Sequence, residues 1–385
     1  MNMVSPKTAA EEALGVSLPH RRMEEWKWTD LRRLITTPYG KAEAKASVRE
    51  VDRLIAAAPL AGVKAGRIVF VNGELDAARS NVPSRPSNAL IVSPDDSVVE
   101  ISNRLQAQGI TLTLDGNTDT PIEILHITTD ATPRAIAVRH TFEVTAGASA
   151  TIVETFLGEG DYLSTAVVNI AIGEGARFDR IKVEAESAKA THLAHTIVTL
   201  GKNAVLRDFT ITSGAALNRQ NGTYTFAGQG ADAKVSGSYL LQAEQHADTR
   251  LVIDHAVPHC TSRELFKVVM DGHSRGIFQG KVIVRPNAQK TDGKQSSHAL
   301  LLSETAEFDA KPELEIYADD VVCGHGATSG DLDHDHLFYL MSRGIPKAEA
   351  RSLLVAAFVG EAIETVDHEG IREALLAFAQ ERLSS

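Results

Sequence analysis

The sequence contains very little cysteine: Cys260 and Cys323 are the only two in 385 residues. Two thiols cannot build a disulfide framework, nor can they supply the four thiolates of a self-contained zinc or iron-sulfur site. No segment approaches 18 uninterrupted apolar residues, so the sequence offers no candidate transmembrane helix. The stretch from Met1 to Leu18 is charged and lacks the apolar core of a secretory signal peptide. We therefore expect a cytoplasmic protein.

Basic residues are scarce relative to acidic ones. The 39 lysines and arginines against 50 aspartates and glutamates give a net charge of −11, which argues against sequence-independent binding to nucleic acid or to an anionic membrane. Several enzyme motifs are also missing, namely a Walker loop, G-x-G-x-x-G after a strand, a G-x-S-x-G elbow between a strand and a helix, and H-E-x-x-H. The sequence therefore disfavours a free-standing ATPase, dehydrogenase or serine hydrolase.

Residues 1–66 indicate an N-terminal helical region. Residues 11–35 are charged and helix-friendly, and a helix predicted over residues 48–58 stops at Pro59. Trp26 and Trp28 stand two apart in a polar segment, where they could form a stacking site. The favoured interpretation is that their large rings are buried and anchor an N-terminal arm on the body of the protein.

Residues 67–330 carry the pattern of short strands. Residues 67–71 followed by Asn72-Gly73 predict a strand and a tight turn, and helical periodicity is missing for more than two hundred residues. Segments such as 181–185 and 209–212 alternate apolar with polar residues and predict half-buried strands.

A repeat is visible when the turns are aligned, because their starts are separated by 28, 28 and 27 residues. These starts are Gly147, Gly175, Asn203 and Gly230, with weaker continuations at Pro258 and at residues 286–288. Glycine and asparagine tolerate the positive φ of a tight corner, and the alanine that follows suits a crowded inner corner. A fixed period of this length built from strands favours a solenoid, most simply a parallel β-helix with about one coil per repeat. The alternative is a large antiparallel sandwich with regular turn spacing.

Residues 331–385 return to helical periodicity and predict a compact helical domain. Asp331 or Asp333 can cap a first helix that Gly344 ends, and Pro346 fits the first turn of a second helix. The predicted apolar faces are Leu337, Leu340 and Met341 on the first helix, Ala350, Leu353, Leu354, Ala357 and Phe358 on the second, and Ile371, Leu375 and Phe378 on the third.

The densest candidate site is Cys323-Gly324-His325, between the strands and the helical domain. In a strand, a thiol and an imidazole two residues apart point to the same face, so both could reach one soft or borderline metal. Gly326 and Gly324 leave room for another backbone or an inorganic core to approach. Taken alone, the short motif suits a buried cysteine and a hydrogen-bonded histidine better than a ligand pair.

Three other constellations have alternative interpretations. His259-Cys260 lies among polar neighbours and favours a structural corner network. The acidic, histidine-bearing run 331–336 has the composition of a metal site but better suits a solvated first helical turn. Asp319-Asp320 could serve acid–base chemistry in a β-helix enzyme that cleaves polysaccharides, although adjacent residues of a strand point to opposite faces.

These segments resemble the SufB/SufD family of iron-sulfur cluster assembly proteins, and its SufD branch more than its SufB branch. The matching segments are 317–328 (YADDVVCGHGAT), 337–340 (LFYL), 342–345 (SRGI), 258–267 (PHCTSRELFK), 276–282 (GIFQGKV) and 26–31 (WKWTDL). Together they span nearly the whole chain. Gly324 departs from the serine expected of the family, and the cysteine-rich segments expected of SufB are missing.

The resemblance implies a mainly β fold: a right-handed parallel β-helix with a helical region before it and a helical domain after it. It implies a non-enzymatic scaffold subunit that pairs with SufB through the β-helix, with a homodimer as a further option when SufB is absent. It implies docking of the ATPase SufC on the helical domain, here through Leu337, Leu340, Met341, Leu353, Leu354 and Phe358. His325, with Cys323, becomes a candidate iron ligand in a transient iron or cluster site shared with SufB, because this chain cannot supply four thiolates.

Overall fold

A computed structural model describes residues 7–41, 46–91, 93, 96–129 and 133–384 of the chain, and in them the fold is mainly β. The strands are β1 (Gly40–Lys41), β2 (Gly66–Val71), β3 (Glu74–Leu75), β4 (Arg85–Ser87), β5 (Gly109–Leu114), β6 (Ile122–Thr128), β7 (Arg134–Val144), β8 (Ser149–Gly158), β9 (Tyr162–Ile172), β10 (Arg177–Ala185), β11 (Thr191–Leu200), β12 (Val205–Thr212), β13 (Leu217–Phe226), β14 (Asp232–Leu241), β15 (His246–His255), β16 (Thr261–Met270), β17 (Arg275–Val284), β18 (Asp292–Leu301), β19 (Glu307–Ile316) and β20 (Val322–Gly330). The helices are α1 (Ala9–Leu14), α2 (Leu31–Leu34), α3 (Val48–Ala56), α4 (Ser97–Arg104), α5 (His334–Ser342), α6 (Lys347–Ile363) and α7 (Glu369–Ser384).

The strands form two sheets that face each other. One sheet has the order β19-β17-β15-β13-β11-β9-β7-β5-β4, and the other has the order β20-β18-β16-β14-β12-β10-β8-β6-β2-β3. Since consecutive strands alternate between the sheets and every long pair is parallel, each coil contributes one strand to each sheet. The predicted parallel solenoid is confirmed, with about seven turns, and the antiparallel sandwich is ruled out.

The repeated corners hold the coils in register. Gly147, Gly175, Asn203 and Gly230 all have positive φ, as the repeat predicted, and the alanine after each is buried in the core. Farther along the chain the prediction was displaced: the positive φ falls at His259 and Lys290, not at Pro258 or residues 286–288. The spacing lengthens in these later coils, which explains why the constant step missed them.

The core lies between the two sheets, where inward-facing residues of each strand pack on the same row of the next strand. Phe142, Phe178 and Phe226 are among its fully buried members. One expectation was wrong: the region predicted to contain only strands includes helix α4, whose Val98, Val99 and Ile101 pack on the outer face of the first sheet. Asp96 caps this helix by accepting a hydrogen bond from the Val99 N–H.

The N-terminal segment lies on the same outer face as α4. Trp26 is 4% exposed, and the guanidinium of Arg219 on β13 stands 4.3 Å from its ring centroid. The anchoring interpretation is therefore confirmed for Trp26, whereas Trp28 is only half-buried. Asn72 and Gly73 both have positive φ and connect β2 to β3, which confirms the predicted strand and tight turn.

The C-terminal helices cover the outer face of the second sheet. Asp333 caps α5, and Gly344 ends it with φ of 87°. The face predicted for α6 was partly wrong: Ala350 is buried as predicted, but Leu353 and Ala357 are exposed. The helix also packs through residues that were not predicted, namely Val355, Val359, Ala362 and Ile363. In α7 the predicted Ile371, Leu375 and Phe378 are buried. Within the described residues, we find no helix with the length and apolarity required to span a membrane.

Candidate functional site

The last coil of the solenoid leaves both sheets with a free edge. Strands β19 and β20 end the two sheet orders, and each pairs on one side only, with β17 and β18 respectively. Most of β20 is exposed, and Ile316, Tyr317 and Val322 place large apolar side chains in solvent beside it. Free edges with exposed apolar residues are ready to pair with another chain.

Cys323 and His325 lie on this open strand. They are two residues apart in β20, so their side chains leave the same face, as predicted. Cys323 is half-buried and packs against the core of the solenoid, whereas His325 is exposed. The pair therefore lies at the open end of the solenoid, where Cys323 is partly inside the core and His325 is accessible to a partner.

The surroundings of Cys323 favour its neutral thiol. Burial raises the pKa of Cys323 above its usual value, and the negative charges of Asp292 and Glu264 act in the same direction, against a hydrogen bond from the Gly293 backbone that lowers it. A thiol held in this way is a poor nucleophile on its own. It can become a thiolate ligand when a metal cation or a positively charged group comes near.

Polar residues line the interior directly beneath this pair, and sequence reasoning missed them. Glu264 on β16, Gln295 on β18 and His325 on β20 occupy matching register positions on neighbouring strands. Glu264 and Gln295 are 2% and 1% exposed, and Gln295 Nε2 donates to Glu264 Oε2 at 3.3 Å. Burial raises the pKa of Glu264 to about 7. The signal that could have found them is their spacing of 31 and 30 residues, close to the length of a coil.

The residues predicted to dock a partner are only partly available. Leu337 is buried, Leu340, Leu354 and Phe358 are half-buried, and Met341 and Leu353 are exposed. Phe338 and Tyr339, which were not predicted as docking residues, are 73% and 55% exposed. The surface that α5 and α6 present to solvent thus includes four large apolar or aromatic side chains: Phe338, Tyr339, Met341 and Leu353. We call these four residues the helical patch.

The other predicted constellations occupy ordinary structural positions. Cys260 is fully buried at a corner, where the Gly228 and Pro258 carbonyls lie 3.5 Å from its Sγ. In the run 331–336, Asp333 accepts hydrogen bonds from the backbone of the first turn of α5, and the histidines are exposed. Asp320 forms an ion pair with Lys290, so it does not stand free beside Asp319 as a catalytic partner would.

A second titratable cluster lies deep in the solenoid. Ligand atoms of His126, His140 and Glu154 come within 4.8 Å of one another, and all three residues are buried. His140 Nδ1 accepts the Ile110 backbone N–H at 3.3 Å, however, so a neutral His140 keeps its proton on Nε2. Glu154 is already bound to the Arg180 guanidinium at 2.6 Å. The donor set therefore suits a buried polar cluster better than a metal centre.

Comparison with known proteins identifies relatives over nearly the full length. Residues 126–358 match the family model described as the SufBD core domain of SUF-system FeS cluster assembly. The chain is 30% identical to the iron-sulfur cluster assembly protein SufD of Escherichia coli, over 97% of this chain and 91% of that protein. It is 31% identical to an iron-sulfur cluster assembly SufBD family protein of Synechocystis, over 94% of this chain and 87% of that one.

Proposed function

Because the chain belongs to the SufBD family of iron-sulfur cluster assembly proteins, we propose that it acts as the SufD-type subunit of a complex with SufB and the ATPase SufC. It works there as a non-enzymatic scaffold that supports new cluster formation and iron acquisition, in the cytoplasm. The observation that carries this proposal is the position of Cys323 and His325 on a free edge strand, within a chain that resembles SufD along its length.

The free edges of β19 and β20 form the surface that pairs with SufB. A strand from the partner that adds to either edge satisfies backbone groups that water otherwise solvates, and it buries Tyr317 and Val322. The flat outer face of β20, where Gly324 and Gly326 have nothing within 4 Å of a would-be Cβ, lets a partner backbone approach closely.

Iron, as the cargo, binds between the two chains. His325 supplies an imidazole nitrogen and Cys323 a sulfur from the same face, so this chain offers at most two of the ligands that a cluster requires. Cysteine thiolates from SufB complete the shell. His325 makes the larger contribution because it is exposed, whereas Cys323 must lose a proton that its half-buried surroundings retain.

SufC docks on the helical patch. Phe338 and Tyr339 project from α5 beside Met341, and together with Leu353 they form the exposed apolar surface that a partner can bury. The amphipathic helices on which they lie are fixed to the second sheet, so force from an ATPase can reach the solenoid through them.

Co-expression tests this function directly. We expect a tagged version of the chain to retain SufB and SufC through affinity purification and size exclusion, in a complex of fixed stoichiometry. A chain that elutes alone after mixing with both partners contradicts the proposal. As a control, Phe338→Ser should lose SufC while it retains SufB, since the two surfaces lie on different elements.

A further inference from the structure

Two rows of inward-facing residues lead along neighbouring strands to the edge strand β20. One row runs Ser262, Gly293, Cys323, and the other runs Glu264, Gln295, His325, each across β16, β18 and β20. Gly293 leaves space in the first row, since a Cβ there would contact Ser262 Oγ at 3.4 Å and Cys323 Sγ at 3.6 Å. In the second row Gln295 lies between Glu264 and His325 in the strand register.

The orientation of the Gln295 carboxamide is fixed by its neighbours. Its Nε2 donates to Glu264 Oε2 at 3.3 Å. Its Oε1 is therefore directed elsewhere, and this oxygen is buried without a hydrogen-bond partner among the described residues. Gly280 on β17 makes this placement possible, because a Cβ at that position would lie 2.0 Å from Gln295 Nε2.

We propose that Gln295, oriented by Glu264, accepts a hydrogen bond from one ring N–H of His325 and so directs the other ring nitrogen to iron. Gln295 is thus a positioning residue for the iron site, and the inference rests on the proposed role of His325. The His325 side chain is exposed and does not contact this oxygen in the structure. Because strand neighbours in register stand about 4.8 Å apart, rotation of that side chain can bring a ring N–H to the Gln295 carboxamide. Its unpartnered oxygen is the acceptor that a metal-binding histidine requires at its second nitrogen.

This arrangement accounts for polar groups that are otherwise costly. A buried amide oxygen without a hydrogen-bond partner destabilises the fold, and a well-packed apolar residue could replace it. Docking of SufB covers the open end and removes competing water, so the hydrogen bond to His325 becomes stronger in the complex. The imidazole then needs no reorganisation when iron arrives.

The first test uses the full-length chain alone. Histidine labelled with ¹⁵N reports by NMR which ring nitrogen carries the proton, and the spectrum of His325→Ala assigns the His325 signals. We expect wild-type His325 in one neutral tautomer and Gln295→Met, which keeps the size but removes the acceptor, in a mixture of both. A mixture in the wild-type protein overturns the proposal without reference to any variant.

The second test uses the complex with SufB and SufC, loaded with Fe²⁺ and a sulfide source. Gln295→Met should lower iron affinity about 10- to 100-fold, while Ser297→Ala, the matched control two residues along the same buried face, should leave it unchanged. The double variant Glu264→Gln/Gln295→Glu exchanges donor and acceptor and should restore most of the loss.

The outcomes separate this proposal from the proposed function. If His325→Ala assembles clusters normally, the role of His325 itself is wrong. If His325→Ala fails but Gln295→Met keeps both the wild-type tautomer and wild-type iron affinity, only the positioning role of Gln295 is wrong. If the double variant Glu264→Gln/Gln295→Glu recovers no iron affinity, the positioning role of Gln295 is also wrong.

Discussion

The N-terminal arm is held by a buried ion pair, which makes its contribution measurable. Arg219 and Asp248 form this pair with both side chains fully buried, and they lie in register on β13 and β15. Arg219 Nη2 also donates to the Glu25 carbonyl at 2.9 Å, and Thr29 donates to Asp248. The arm and the first sheet therefore share one network.

The perturbation is Arg219→Met, which keeps much of the volume and removes the charge. It leaves Asp248 buried with only Thr29 and Gln279 as donors, and breaking a buried pair in this way costs about 3–5 kcal/mol. A melting entropy of about 2.1 cal/mol/K per residue gives roughly 0.8 kcal/mol/K for a cooperative chain of 385 residues. The expected drop in Tm is therefore about 4–6 °C.

Circular dichroism melting and trypsin digestion measure this effect together. Arg219→Met should lower the Tm and speed cleavage at the exposed Lys27, because the arm loses its anchor. The control is Lys202→Met, which removes an ion pair with Glu174 whose partners are 57% and 60% exposed and should change the Tm by about 1 °C or less. Equal Tm values and equal cleavage rates for wild type and Arg219→Met refute the reasoning.

Three further predictions concern the open end and the helical patch. Glu264 has a folded pKa of about 7, raised from 4.5 by burial, so the folded state holds an extra proton between these values and stability falls as pH rises through this window. Glu264→Gln should therefore be more stable than wild type at pH 8, by roughly 3 kcal/mol, and equal to it near pH 4.5, as checked by urea unfolding. Gly280→Ala should displace Gln295 and lower the free energy of unfolding by about 1–3 kcal/mol. Gly276→Ala should lower it less in the same urea titration, because a Cβ at residue 276 would lie 3.1 Å from the nearest atom. Phe338→Ser should weaken SufC binding at least tenfold by calorimetry with no loss of Tm, since its side chain is 73% exposed.

The solenoid was predictable because its corners use residues with a strong backbone preference. Gly147, Gly175 and Asn203 tolerate positive φ, so the repeat is visible in the sequence. His259 and Lys290 also have positive φ, but histidine and lysine have no strong preference for it. The sequence therefore does not reveal these two corners. Helix α4 was missed because its eight residues are too short for a clear period.

The candidate site was only half predictable. The spacing of Cys323 and His325 places both on one face, but alternation cannot tell which face is inside when the strand closes a solenoid. For the same reason the sequence did not indicate that Gln295 and Glu264 face the interior of the solenoid. On α6, alanine and leucine occur around much of the helix, so the buried face through Val355 and Val359 could not be separated from the exposed side.

The most direct test of the role of His325 as an iron ligand is cluster yield in the complex that contains His325→Ala. We expect the variant to fold and to retain SufB and SufC, because His325 is exposed, but to form far less cluster from Fe²⁺ and sulfide, as followed by visible absorption and iron content. His336→Ala, which removes an exposed histidine on α5, should assemble normally. A His325→Ala complex with wild-type cluster yield would show that His325 is not an iron ligand in cluster assembly.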